Sequence, residues 1–598
     1  MRRTGTMDMP GKFVTKRHEA DLCVVGGGMA GLTAALAAAR HGAEVVLMHD
    51  RPVLGGNASS ECRVHICGAD RHNRIKDLRE TGILEELRME NLYRNPNSIF
   101  SIWDTILYEK CLCQEHLTLL LNCSCIDAAM DGRRIASVTG WQLTSETMHT
   151  VAAKVFADCS GDGILAPLAG GPFRIGREAR GEYDEPSAPA EADRLTMGMS
   201  ILFQTRKYDT PQPFEPPEWA YRFESCDEVP YGAGGHAYWG MGYWWVELGG
   251  EQDSIHDTEE IRDELLKISY GLWDHIKNRC PEHSEAAANW SLDWIQFLPA
   301  KRESRRHVGA HVLTQNDILA EGRFDDLVAY GGWAMDDHPP VGFWGPKRGS
   351  RKPSAVFHKA PSPYGIPYRS LYSNDVPNLM FAGRCHSASH MAMSSTRVMG
   401  TCCSMGQAVG TAAAMAARLG MGPAGVMERM DELQQALLTD DCYLPWVPQR
   451  LGPVTMSARL EASRGDAEPL RDGTNRPVGD ERHAWRHGPG DRVALLFDGP
   501  AGVSRVTLIL DSALHKDPQM SHHIPPGSHL TAPPEEMPRR FTVEVFVDGR
   551  WQMLREVADN HQRLVRLPVG RTVEGVRYSL QATWGKCEGT NLYALYVE

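Results

Sequence analysis

The sequence predicts an α/β fold: a parallel-sheet domain, an inserted α+β segment within it, and an all-β jelly-roll domain after it. Three observations carry this. Asp21-Leu22-Cys23-Val24-Val25-Gly26-Gly27-Gly28-Met29-Ala30-Gly31 and the Ala-rich run after it read as strand, glycine turn and helix, with a second strand at 44–48. Two more apolar strands ending in small-residue turns come much later, at 155–163 and 378–384. From about residue 452 the pattern becomes short alternating strands, at 492–497, 505–511 and 541–551. At 598 residues the chain exceeds what one hydrophobic core supports.

The glycines set the first element. Gly26 allows a tight turn, Gly28 lets backbone approach a pyrophosphate, and Gly31 lets helix pack on strand. The helix then offers free N–H groups and the positive end of its dipole to phosphate. An acidic residue usually ends the second strand and binds the ribose. Here that position is His49, with Asp50 beside it.

Further residues select the dinucleotide. Leu54-Gly55-Gly56-Asn57-Ala58-Ser59-Ser60 follows the second strand. Asp158, Gly161 and Asp162 end one late strand, and Gly383 and Arg384 end the other. In this order the segments resemble the FAD contacts of glutathione-reductase-type flavoproteins, which implies a Rossmann-like FAD-binding domain. The resemblance adds Gly55, Gly56, Asn57 and Ser59 as contacts, and Arg63, which follows Ser59-Ser60-Glu61-Cys62, could lie under the flavin. It also adds Thr401, on a small-residue helix whose N-terminus would approach the flavin pyrimidine. The plainer alternative for that helix is tight packing.

Composition narrows the class. A formal net charge of −13 argues against a nucleic-acid partner, because phosphate neutralisation needs a basic surface. Every long apolar stretch is broken by glycine or charge, so no membrane span is expected. No apolar signal core follows Met1-Arg2-Arg3, and the reading is cytoplasmic. Cys111-x-Cys113 and Cys123-x-Cys125 have poor metal spacing, so the cysteines read as reduced thiols and no metal is expected.

The domain reading is a flexible tail at 1–20, an FAD-binding domain from 21–170 and 370–420, and an inserted substrate domain at 171–369. A helical connector at 421–451 leads to a β-sandwich at 452–598.

Residues 21 to about 430 resemble the FAD-dependent oxidoreductase family, distantly related to fumarate reductase and succinate dehydrogenase flavoproteins. The carrying segments are 50–61, Lys301-Arg302-Glu303-Ser304-Arg305-Arg306, Asp336-Asp337-His338-Pro339-Pro340, and 382–384 through 395–399. The tail resembles galactose-binding-like domains of the discoidin type through Asp472-Gly473, Trp485 and the 541–551 strand.

Flavin chemistry on a C–H bond needs a proton donor or acceptor and cations to steady developing oxyanions. His390, after the 378–384 strand, and His338, between two aspartates and two prolines, are the acid/base candidates. Arg302 and Arg397 are the oxyanion candidates; a salt-bridged structural role is the alternative for the arginine cluster. His65 is a weaker candidate, for covalent flavin attachment. The run Tyr238-Trp239-Gly240-Met241-Gly242-Tyr243-Trp244-Trp245 could stack on sugars or be core.

The function expected is hydride transfer between FAD and a small polar substrate, with a carbohydrate or glycoside as the best class. The redox partner would be another protein, a quinone or oxygen, since no second dinucleotide motif is present. A homo-oligomer is left open. The rivals are a flavin-bound lyase or isomerase without net redox, and a carbohydrate-binding protein with a vestigial flavin site.

Overall fold

The computed structural model describes residues 13–230, 235–237, 239–240, 243–345, 355–521 and 530–598. Strand β1 is Val14–Val25, followed by α1 (Met29–Arg40), β2 (Val45–Met48), α2 (Ile83–Arg94) and α3 (Phe100–Leu112). Then come β3 (Leu117–Leu120), β4 (Cys123–Asp131), β5 (Arg134–Gln142) and β6 (Thr147–Asp158). The sheet order is β3-β2-β1-β6-β5-β4: the first four strands are parallel, and β6-β5-β4 is an antiparallel meander.

Part of the expected tail at 1–20 is strand. Residues 14–20 pair with β6 from Val14↔Thr147 to Ala20↔Ala153. Their mixed charge concealed a strand whose first half is largely exposed while Leu22–Val25 is core.

One register feature organises the site. Val25 pairs with both Met48 and Asp158, and Asp158 pairs with Phe381 of a late parallel strand. The turns after these four strands therefore lie side by side at the carboxyl edge, where open α/β sheets bind ligands.

The inserted region holds α4 (Thr258–Asp274) and short antiparallel pairs, among them Phe203–Lys207 with Trp290–Ile295. Its own core draws on Met199, Phe203, Tyr243, Leu265, Trp273 and Phe343. Leu313, Ile318, Leu327, Tyr364 and Ile366 instead join the core of the first domain. The 171–369 segment is thus not one separate packing unit. β7 (Met335–Asp337) and β8 (Leu379–Phe381) lead to α5 (His390–Thr396) and α6 (Met399–Leu419). The small residues of α6 let it lie against α1: a Cβ on Gly406 or Gly410 would fall 2.1 Å from the carbonyl oxygen of Ala30 or Ala34.

The tail forms one seven-stranded antiparallel sheet around Trp485, Phe541 and Tyr578. Two strands are long, Arg492–Leu510 and Leu564–Thr583, and their pairing carries register breaks. Buried arginines dock this sheet on the first domain. Arg476 donates to the carbonyls of Asp77 and Arg79 and to Thr81 Oγ1. Arg563 pairs with Asp441 at 2.8 Å. Arg79 pairs with Glu85 and reaches the carbonyls of Ser512, Ala513 and Lys516. Among the described residues no helix is long and apolar enough to cross a membrane.

Candidate active site

The glycine turn has an open face and a closed one. A Cβ on Gly31 would lie 1.8 Å from the Gly26 carbonyl oxygen, and one on Gly26, at φ +104°, 2.4 Å from that of Cys159. Gly28 is different: a Cβ there would meet only Gly56 Cα, at 4.0 Å. Gly28 caps α1 with no side chain bonded to the helix end and no acidic residue in the first turn. The Leu54–Ser59 loop is bound beside it by a Gly28↔Gly55 bridge and by Gly55 N–H donating to Gly27 at 2.9 Å. Ser59 Oγ donates to the Gly56 carbonyl at 2.7 Å and shapes this loop. Uncapped N–H groups, a positive dipole end and open space fit a diphosphate. The N-terminus of α6 also lacks a side-chain cap, but there the Gly400 N–H donates to the Cys67 carbonyl at 2.8 Å.

Other sequence-assigned contacts are already engaged within the protein. His49 Nδ1 accepts from Gly27 N–H at 2.9 Å, so Nε2 carries the proton and donates to the Val53 carbonyl at 3.0 Å. His49 therefore fastens the glycine turn, and the more exposed Asp50 is left as the group able to face a ribose. Asp158 accepts from Ser160 N–H and Oγ, Leu165 N–H and His307 Nε2, all within 3.0 Å. Fully buried, it caps its own turn. Arg384 donates to the Gly161 and Lys301 carbonyls and to Asp162 Oδ1, while Asp162 also takes Lys301 Nζ at 2.8 Å. Burial would raise the Asp162 carboxyl, but Arg384 and Lys301 outweigh it and hold it at about 2. These residues clasp the turns together. Asn57 donates to the Lys301 carbonyl at 3.3 Å. Arg63 turns away, to Gln204 at 2.6 Å and over the Trp294 ring. Thr401 faces Glu80.

Glu80 was not expected from sequence. It lies against the first turn of α6, takes the Ala69 N–H at 2.8 Å, and burial pushes its carboxyl up to about 7. A lone glutamate before a helix gave no signal of this.

All four catalytic candidates converge on one buried charge network. His390, the first residue of α5, has Nδ1 2.9 Å from Glu303 and Nε2 3.1 Å from Asp337. His338 has Nδ1 2.7 Å from Glu247 and Nε2 3.3 Å from Asp336. Arg397, between α5 and α6, reaches Asp336 at 3.1 Å. Arg302 lies 3.5 Å from Glu247 and donates to the carbonyls of Gly198 and Trp244. Arg306 and the His390 N–H share Glu178. Burial opposes charge on His390, yet Glu303 and Asp337 together raise its pKa to about 10. The imidazole is therefore a fixed cation at neutral pH and not a resting base, which revises the symmetrical acid/base expectation. Ser389 caps α5 through the Ala392 N–H, so His390 sits on a helix and not in the loop its neighbours suggested. Glu247 and Glu178 carried no sequence signal; they reach the network from 91 and 212 residues away.

The tail also contributes. Pro518, Gln519 and Met520 close a small cavity against Ala58, Phe100 and Trp103. Gln519 Oε1 is 3.1 Å from His72 Nδ1, and Ser521 Oγ 3.3 Å from His65 Nδ1. His65 is thus walled in by the tail loop and by Trp244, its ring 5.2 Å away. Within the aromatic run, Tyr238, Met241 and Gly242 lie outside the described residues. Trp239, Tyr243 and Trp245 pack into or against the inserted core, so the core alternative holds for them.

In-register parallel strands, a bare helix end and paired glycine loops define a Rossmann-like dinucleotide-binding protein. The model of the family described as FAD dependent oxidoreductase matches residues 21–437, and the chain belongs to that family. It is an FAD-dependent oxidoreductase. No curated protein matches the chain. Among solved structures, it is similar to a geranylgeranyl bacteriochlorophyll reductase-like protein from Thermoplasma acidophilum. The identity is 11% and the TM-score 0.31, over 71% of this chain and 86% of that one. It is also similar to the family 32 carbohydrate-binding module of Streptococcus pneumoniae EndoD, at 14% identity and TM-score 0.19, over 24% of this chain and 97% of that one.

Proposed function

We propose that the enzyme moves a hydride between a small polar substrate and FAD, with the charge network as the substrate-facing machinery. The observation that carries this reading is the convergence of His390, His338, Arg302 and Arg397, together with their carboxylates, on one cluster. FAD, when bound, supplies the two-electron donor or acceptor. Gly28, Gly55, Gly56 and the first turn of α1 would hold its diphosphate, Asp50 its ribose, and the start of α6 its ring system.

The protein's own groups then have distinct tasks. His390 holds two protons against two carboxylates and can donate one to a developing oxyanion. Asp337, the more exposed partner, is placed to take the Nε2 proton and hand it to substrate. Arg397 presents fixed positive charge beside the start of α6, and Arg302 does so on the inserted-domain side. A carbohydrate substrate loses the support of the aromatic run, since its described members except Trp244 serve the core. A small hydroxy or keto compound suits the paired cations and carboxylates of the network.

The visible spectrum of the purified protein, followed under anaerobic addition of candidate substrates, tests the reading. Bleaching by a polar hydroxy compound supports it. Bands that persist with every such compound, but change on adding an electron donor and a keto compound, reverse the direction. Substrate turnover with no acceptor and no bleaching would favour the lyase or isomerase.

A further inference from the structure

We propose that Cys226, His236, His275 and Cys280 form a tetrahedral site for one structural zinc ion in the inserted domain. Each ligand is placed by a specific local device. Cys226 opens a short turn, Cys226–Glu228, fixed by a capping box between Ser225 and Glu228. Helix α4 does not simply end at Asp274; it widens into a π-turn, His275–Arg279, with Cys280 N–H donating to the His275 carbonyl at 2.7 Å. Residues five apart on an α-helix point roughly 140° apart. The wider turn brings His275 and Cys280 to one side, and π-segments of this kind gather at functional sites. His236 lies between the Cys226–Glu228 turn and α4, its carbonyl held by Tyr243 Oη at 2.5 Å.

The spacing matches a metal polyhedron. With Zn–S near 2.3 Å and Zn–N near 2.0–2.1 Å, tetrahedral edges come to about 3.8 Å for sulfur–sulfur and about 3.5 Å for sulfur–nitrogen. Cys226 Sγ and Cys280 Sγ are 3.6 Å apart. The sulfur–nitrogen separations are 3.4 Å from Cys226 to His275, 3.8 Å from Cys226 to His236, and 3.2 Å from Cys280 to His236. All four ligand atoms lie within 4.8 Å of one another. A disulfide needs sulfurs near 2.05 Å, far from the observed gap.

The surroundings fit as well. His275 Nδ1 is 2.9 Å from the Phe223 carbonyl, so that nitrogen carries the proton and Nε2 turns its lone pair to the cluster. His236, His275 and Cys280 are buried, and all four ligands come from protein, the pattern of a structural and not a catalytic site. Binding displaces one proton from each thiol, and two thiolates neutralise the dication, leaving no net buried charge. Two sulfurs and two imidazoles in a tetrahedron suit zinc above harder cations. The expectation of no metal rested on Cys111, Cys113, Cys123 and Cys125. It overlooked a thiol pair 54 residues apart in sequence.

The test is elemental analysis of the full-length protein purified without a metal-affinity step, with X-ray absorption at the zinc edge. The expected result is about one zinc per chain, with two sulfur and two nitrogen ligands, and loss of the metal in Cys226→Ala and His275→Ala. Cys113→Ser, an exposed thiol, keeps it. Folded parent protein that lacks zinc and takes none up on reconstitution overturns the proposal. So does a Cys226–Cys280 disulfide found by peptide mapping, or full zinc retention in a folded Cys226→Ala/Cys280→Ala variant. None of these readings depends on flavin or on turnover.

Discussion

The glycine cradle and the charge network meet the same requirement, a preformed polar site, by opposite means. The cradle is made of backbone: bare N–H groups, open space at Gly28, and steric limits at Gly26 and Gly31. The network is made of side chains. Five carboxylates (Glu178, Glu247, Glu303, Asp336, Asp337) face five basic groups (Arg302, Arg306, His338, His390, Arg397). At its closed positions, Gly26 and Gly31, a backbone site tolerates no added atom, but it loses little to a change of charge. A side-chain network tolerates shape changes at its rim but leaves a buried charge uncompensated when one member is removed.

The strongest test of that contrast is steric. Gly31→Val forces atoms into the Gly26 carbonyl and is expected to cost upwards of about 3 kcal/mol, read as loss of soluble folded protein. His390→Ala should cost on the order of 3–5 kcal/mol in chemical denaturation, because Asp337 loses its ion-pair partner and buried Glu303 keeps only Arg306, 3.5 Å away. Arg476→Ala removes hydrogen bonds from a charged donor to the first domain. About 1.5–3 kcal/mol is expected, with the tail exposed to protease first. Gly28→Ala sharpens the comparison most cleanly: with φ −64° and no close neighbour, it should fold with little change in melting temperature yet retain little flavin. If it keeps its full flavin, the diphosphate does not lie there.

The smallest effect is one of pH. His390 is raised in the folded protein from its ordinary 6.5 to about 10, so its charge stabilises the fold fully below pH 6.5. That contribution falls as pH rises through the window to about 10. The stability gap between parent and His390→Gln should therefore be widest in mild acid and shrink in alkali. A gap that grows with pH would mean the imidazole is neutral in the fold.

The same contrast explains what the sequence disclosed. The cradle is local: strand, glycines and helix lie within twenty residues, and each glycine is demanded by a contact a few residues away or by the next strand. The network is assembled across the chain. Asp336-Asp337-His338 announced itself as a charged run, but Glu247 and Glu178 were ordinary surface-type residues until the fold buried them. Asp158 and Arg384 were rightly placed at strand ends. What their position did not disclose is that the Asp158 carboxylate is buried and satisfies its own turn's N–H groups. Strand pairing over residues 14–20 was hidden because an exposed half-strand shows no hydrophobic period.

The tail loop that reaches His65 and His72 gives the protein a timetable. The family match ends at residue 437, whereas the wall beside its glycine loop is not complete until Ser521. During synthesis at about 5–20 residues per second, those 84 residues take roughly 4–17 s to appear. Over that interval the glycine loop lacks the wall that Pro518, Gln519, Met520 and Ser521 supply in the finished molecule.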